Sequence, residues 1–371
     1  MARRAREPRG PLPRRPQPAR AAGPGRGGLD VRGGVPVNAN RALQRTLDRR
    51  EVVAVLGPGG VGKTTLSATL GVMASSDQDT LVVTIDPAKR LATALGLELG
   101  HEISHVRDGL DAVMVDTKKA LDEMVTRYAP SPDRLERILD SPFYQQLSSA
   151  LVGSEEFAAM GLLHEYHVRH DYDLIIVDTP PAQHGIDFLT VNRRLKRVFE
   201  SGFTKIAFQP SKIFSAAGGR IAKFLSRWTS EDYLEALSEF MIQFEEMFYE
   251  MEDRVDRMER LLGDESRTGL GLVSMADEGS VSEAIDLHER VSEIGLSTNF
   301  AIANRVYPPL EDGEAEGDER ALLDHYARLA RVHMDGIARL QERSGPVAVV
   351  PAMGPVHGIE GLESLMPYLE T

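Results

Sequence analysis

The chain has 371 residues, of which 42% are hydrophobic and 27% charged, and a formal net charge of −13. It is long enough to bury one large core or two joined ones, and no window approaches the ~18 consecutive apolar residues that a membrane-spanning helix requires. The absence of cysteine excludes disulfides, thiolate metal sites and a cysteine nucleophile, and it fits a reducing, cytoplasmic compartment.

Met1 to Val37 differs from the rest. Nine arginines stand against Glu7 and Asp30, among seven prolines and seven glycines. Such a stretch cannot bury enough apolar surface to offset the entropy of ordering, so residues 1–37 are expected to form a disordered basic tail. It has neither the apolar run of a secretory signal nor the serine of a transit peptide. Setting the tail aside leaves about −20 for the remaining chain, a balance that argues against broad nucleic-acid binding. No nucleic-acid partner is expected.

From Glu51 onward, short apolar runs alternate with helical stretches. Val52–Leu56, Leu81–Ile85, Ala112–Val115, Leu174–Val177, Leu270–Ser274, Phe300–Asn304 and Val347–Val350 read as buried strands of four or five residues. Helices are expected around Leu66–Ser75, Ser154–Arg169 and Val281–Ile294. The alternation predicts an α/β fold with a mostly parallel, doubly wound sheet covered on both faces. Intervals 117–171 and 189–268 are too long for simple crossovers, and they are expected to be helical insertions forming a subdomain on one unit that spans 38–371.

The stretch "VLGPGGVGKTTLSATL", Val55–Leu70, carries the chemistry. Gly57, Gly62, Lys63 and Thr64 satisfy G-x-x-x-x-G-K-[ST] between a strand and a helix, the context a P-loop requires. The glycines let the backbone N–H groups of Gly59, Gly60, Val61, Gly62, Lys63, Thr64 and Thr65 converge on oxyanions. Lys63 would reach the β and γ phosphates of a nucleotide, and the Thr64 hydroxyl would ligate Mg²⁺. Two aspartates follow strand runs, Asp86 after "LVVTI" and Asp178 after "LIIV". In a parallel sheet both rise beside the loop. Asp178 is expected to order the metal and Asp86 to orient the attacking water.

These residues carry a family resemblance. "GPGGVGKTT", "TIDPAKRLATALG", "DLIIVDTPPAQHGIDFL", "FAIANRV" and "PVAVVPAMGPVHGIEGL", in this order, resemble the arsenite-pump ATPase (ArsA) family. That family includes the ATPase that targets tail-anchored membrane proteins, and it belongs to the MinD-like P-loop group. The resemblance implies a dimer gated by ATP, with Asp86 in the first switch, Asp178 in the second, Asn304 reading adenine and the loop from Pro351 lying against the base. It also implies a client-binding role for the interval after the second switch.

The departures are as specific. Family members carry a lysine at the position of Pro58 that reaches the partner subunit's phosphates, so this chain resembles a subgroup without it. Lys89 and Arg90 are the available replacement cations. Gln183 stands where the second switch often has glycine, followed by His184, and the family's metal-binding cysteines are absent. His164, His167 and His170 cannot converge on one face of a helix, and a solvated surface is expected for them.

Two stretches suit a partner. Leu237, Phe240, Phe244, Met247, Met251, Val255, Met258 and Leu262 form an apolar stripe at helical spacing, fit for intramolecular packing, a dimer seam or an adaptable client surface. Arg193 to Arg227 carries nine basic residues against Glu200, interleaved with phenylalanines, and suits anionic lipid or core packing. The expected function is a switch that binds and hydrolyses ATP with Mg²⁺. It would act as a homodimer or with a paralogue, on a hydrophobic client or membrane-associated protein. The alternatives are a nucleotide-responsive scaffold with little hydrolysis and, less supported, a small-molecule kinase.

Overall fold

A run of apolar residues without alternation fits a strand covered on both faces, and Val52–Leu56 is buried at all five positions. The computed structural model describes residues 37–85, 89–129, 131–141, 144, 155–169, 172–181, 185–191, 193, 253, 255–309 and 317–370. In chain order the strands are β1 Val52–Leu56, β2 Thr80–Thr84, β3 Ser104–Arg107, β4 Leu110–Met114, β5 Leu174–Asp178, β6 Thr268–Met275, β7 Phe300–Val306 and β8 Val347–Pro351. They form one sheet of order β3-β4-β2-β5-β1-β6-β7-β8. All pairings are parallel except β3 with β4.

The helices, in the same order, are α1 Val37–Arg49, α2 Lys63–Ala74, α3 Arg90–Leu95, α4 Thr117–Tyr128, α5 Pro132–Asp140, α6 Glu155–Arg169, α7 Glu278–Glu293, α8 Gly317–Ser344 and α9 Gly358–Glu363. The alternation of strand side chains divides the core in two. Val53 and Val55 pack under α1, α2, α3 and α9; Val52, Ala54 and Leu56 pack against α4 to α8 and the helical residues 255–263. From β1 the chain moves to β2 on one side, whereas β6, β7 and β8 lie on the other. The carboxyl end of β1 is therefore the switch point of the sheet, where a crevice opens in such folds.

The seven expected strands are present, with shifts at their ends. β6 runs for eight residues, longer than expected because Thr268 and Gly269 extend its start without apolar side chains and Met275 extends its end. β3, α1 and α8 had no sequence assignment. β3 is a polar edge strand, returned to β4 through the Asp108–Gly109 turn with Gly109 at φ 76°, the pairing that short hairpins favour. The interval 117–171 contains α4, α5 and α6. The basic tail, most of the interval 189–268 and the stripe from Leu237 to Met251 lie outside the described residues. At the end of that stripe, Val255, Met258 and Leu262 are buried in the core, and Arg193 donates to the Ile294 carbonyl at 2.8 Å. Among the described residues no helix is long and apolar enough to cross a membrane.

The histidines differ from expectation. His164 is buried at 6% exposure, because α6 lies against the sheet and turns that face inward. His167 reaches Glu51 at 2.7 Å, and His170 lies outside the described residues. Among the described residues no cluster of three or more His, Asp or Glu could hold a metal. Glu51 also accepts from Arg267 Nε and Nη2, both at 2.7 Å, so the entrances of β1 and β6 and helix α6 are tied at one point. The hydrogen bond from Arg267 holds the Glu51 carboxyl down from 4.5 to about 2. A carboxyl with a depressed folded-state pKa stabilises the fold above its unfolded value and loses that contribution as pH falls through its folded value. We therefore predict that Glu51→Gln lowers stability by about 0.5–1 kcal/mol at pH 7, a modest amount because the pair is partly exposed. In thermal melts, the gap from wild type should shrink between pH 4.5 and 2.

Candidate nucleotide-binding site

The loop from Gly57 to Gly62 joins the buried β1 to α2, of whose twelve residues ten are buried. Both ends are therefore fixed by the core, and the loop between them holds its shape. Gly60 has φ 79° and Gly62 φ 95°, left-handed conformations that glycine adopts at least cost. A Cβ on Gly62 would overlap the amide nitrogen of Asn304, and one on Gly57 would overlap the Val273 carbonyl of β6. The loop is pressed between its neighbours' strand ends, with the unsatisfied N–H groups of α2's first turn opening beside it.

Lys63 is only 7% exposed. Its Nζ donates to the carbonyl oxygens of Gly57 at 3.0 Å and Pro58 at 2.8 Å, which holds the ammonium at the mouth of the loop. Pro58 is itself buried, so its ring packs inward and its carbonyl forms part of the lysine's seat. A cation buried against carbonyl dipoles is well placed to exchange them for an anion.

Asp178 is the last residue of β5, in register with Val55 of β1 and Thr84 of β2. It is fully buried and accepts from Thr84 Oγ1 at 2.8 Å. Next to it, Thr179 Oγ1 donates to the Val55 carbonyl at 2.7 Å, which binds the segment after β5 to the base of the loop. Asn304, in β7, is also buried; its Nδ2 donates to the Val61 carbonyl at 2.8 Å. Pro351 ends β8, aligned with Val306. Asp86, Gln183 and His184 lie outside the described residues.

A cavity of about 440 Å³ opens above these strand ends, bordered by Gly60, Gly62, Lys63, Thr64 and Thr65, a size within the range of small-molecule sites. Gly60, Gly62, Lys63, Thr64 and Thr65 thus converge, Asn304 braces the loop through Val61, and Asp178 is held by Thr84 at the adjacent strand end; Gly59, Val61, Asp178, Asn304 and Pro351 do not border the cavity. Of the two cations after Asp86, Arg90 borders it and Lys89 does not. Sequence reading missed Arg305, Val356 and His357 on the wall. The available signals were Arg305 directly after Asn304 and His357 within the "GPVHG" run. α3 and α9 meet behind this wall, where a Cβ on Gly96 would lie 3.3 Å from the Gly358 Cα.

The steric setting predicts unequal glycine substitutions. Gly62→Ala combines a left-handed φ with a clash and should cost about 1–3 kcal/mol. Gly59→Ala meets nothing nearer than Pro181 Cβ at 3.9 Å and should cost clearly less. Urea denaturation of the two variants checks the difference.

Comparison with known proteins gives the family. The family model described as "Anion-transporting ATPase" matches residues 50–367. Among curated relatives, the "ATPase GET3" of Malassezia globosa is 26% identical over 340 residues, covering 88% of this chain and 93% of its own. The "ATPase GET3" of Mycosarcoma maydis is 24% identical over 282 residues, covering 74% and 78%. The "Arsenical pump-driving ATPase" of Acidiphilium multivorum is 27% identical over 274 residues, which is 71% of this chain and 40% of the longer relative. A glycine-rich loop closing on a buried lysine, with an aspartate at the adjacent strand end, is the arrangement that such enzymes need, and the match extends over most of the chain: it belongs to the anion-transporting ATPase family and is an ATPase.

Proposed function

We propose that the chain is a nucleotide-driven switch, in which ATP binding and hydrolysis set the arrangement of the loops at the sheet's carboxyl edge. The observation that carries this reading is the seat of Lys63. Its ammonium is buried on the Gly57 and Pro58 carbonyls, directly beside a cavity bordered by Thr64 and Thr65. In this reading the N–H groups of Gly59 to Thr65 hold the phosphates, and Lys63 leaves its carbonyls for the β and γ oxygens. Asn304 braces the loop through Val61, and the segment from Pro351 flanks the base.

The residues present also fit a magnesium ion. The Thr64 hydroxyl and the buried Asp178 carboxylate are hard oxygen donors of the kind that it takes, Asp178 acting through water. When bound, magnesium neutralises charge gathering on the β and γ oxygens. Asp86, assigned on sequence alone, is proposed to orient the attacking water.

The exposure of Gly60, Arg90, Arg305 and His357 leaves the cavity open to solvent, which supports a second subunit, identical or paralogous, as its cover. A hydrophobic or membrane-associated client, handled in the cytoplasm, extends the same proposal, supported by the resemblance and by the stripe that begins at Leu237. Residues 38–371 are proposed to act as one unit with helical insertions near 117–171 and 189–268.

Single-turnover hydrolysis of ATP tests the core of this reading. Wild-type protein should turn over with magnesium. Lys63→Ala should lose at least 100-fold through weakened phosphate stabilisation, and Asp86→Asn should lose turnover while retaining ATP. Binding without any turnover in the wild type would overturn the hydrolytic part.

A further inference from the structure

Arg305 is the one exposed residue of β7, whose other six are buried. Its φ of 54° is left-handed, an uncommon conformation for a bulky side chain. The surroundings hold it there. Pairing between β7 and β8 shifts between Ala303 and Val306, and Asn304 Oδ1 accepts from the Arg305 N–H at 3.0 Å. The same Asn304 side chain donates to Val61 in the phosphate loop. This bulge takes Arg305 out of the strand alternation and sets it in the cavity wall. Its guanidinium has no ion pair or hydrogen bond among the described residues.

The topology gives the cavity two unlike ends. Under β1 and β5 lie the glycine loop, Lys63 and Thr64, which suit oxyanions. Beyond β6 lie the tips after β7 and β8, adjacent strands whose ends are joined by the Ala352 N–H to Val306 carbonyl bond at 2.8 Å. From those tips Arg305, Val356 and His357 reach the same cavity, which places a planar cation, an aliphatic side chain and an imidazole together. A flat heteroaromatic ring fits that end, as phosphate fits the other.

We propose that Arg305 holds the nucleobase by laying its guanidinium plane on the face of the ring; this rests on the reading of the cavity as a nucleotide site. Asn304 is then a positioning residue, engaged through Nδ2 with the loop and through Oδ1 with the Arg305 backbone.

The test uses titration calorimetry of the full chain with magnesium, comparing ATP with inorganic tripolyphosphate. Arg305→Gly suits the left-handed backbone, so its melting temperature should equal or exceed that of wild type. It should bind ATP roughly tenfold more weakly, and tripolyphosphate within about twofold of wild type. Arg305→Lys keeps the charge without the plane and should bind ATP as weakly as the glycine variant. Equal losses for both ligands, full recovery by lysine or unchanged ATP affinity would overturn the assignment while leaving the nucleotide reading intact. Wild-type protein that binds no ATP would overturn both.

Discussion

The site depends on one constraint: a glycine loop with almost no side chains of its own is held in shape by side chains from elsewhere. The Lys63 ammonium rests on the carbonyls of Gly57 and Pro58. Asn304 holds the carbonyl of Val61, and Thr179 holds that of Val55. These bonds occupy carbonyl oxygens of the loop and of the strand end that feeds it. An anion arriving there would meet a loop whose shape is already set, which is where electrostatic preorganisation gains its advantage. The cost is met by the fold, since β1 and α2 are buried along nearly their whole lengths.

Much of this was legible in the sequence because burial on both faces leaves a simple trace. "VVAVL" and "LIIV" are strands without alternation, and the spacing of Gly57, Gly62, Lys63 and Thr64 places a loop and a helix after the first of them. What escaped notice was of two kinds. β3 is a polar strand on the sheet's edge, and α8 is a 28-residue helix whose N-terminal part is largely exposed; neither has the apolar pattern on which such reading relies. Arg305 and His357 escaped for a different reason. Fifty-two positions separate them in the chain, and only the parallel pairing of β7 with β8 makes them neighbours. A position in the wall of a cavity depends on topology, which a linear motif does not encode.

Pro58 shows how sequence and structure inform each other. Against the lysine that the resemblance implies at this position, it lacks a side-chain charge and an N–H. In the structure the residue is buried and its carbonyl completes the seat of Lys63. A proline fixes its own φ, so the change also stiffens the segment on which the remaining cation rests. Besides Lys63, the cations that border the cavity within the same chain are Arg90 and Arg305.

The close approach of Gly96 to Gly358 joins two helices that start from opposite ends of the sheet's crevice, α3 just beyond Asp86 and α9 just beyond His357. With glycine on both sides there is no side chain between them to flex and absorb a displacement. A shift of α3, whose Arg90 borders the cavity, would therefore be passed, backbone against backbone, to the start of α9, beside His357 on the same wall.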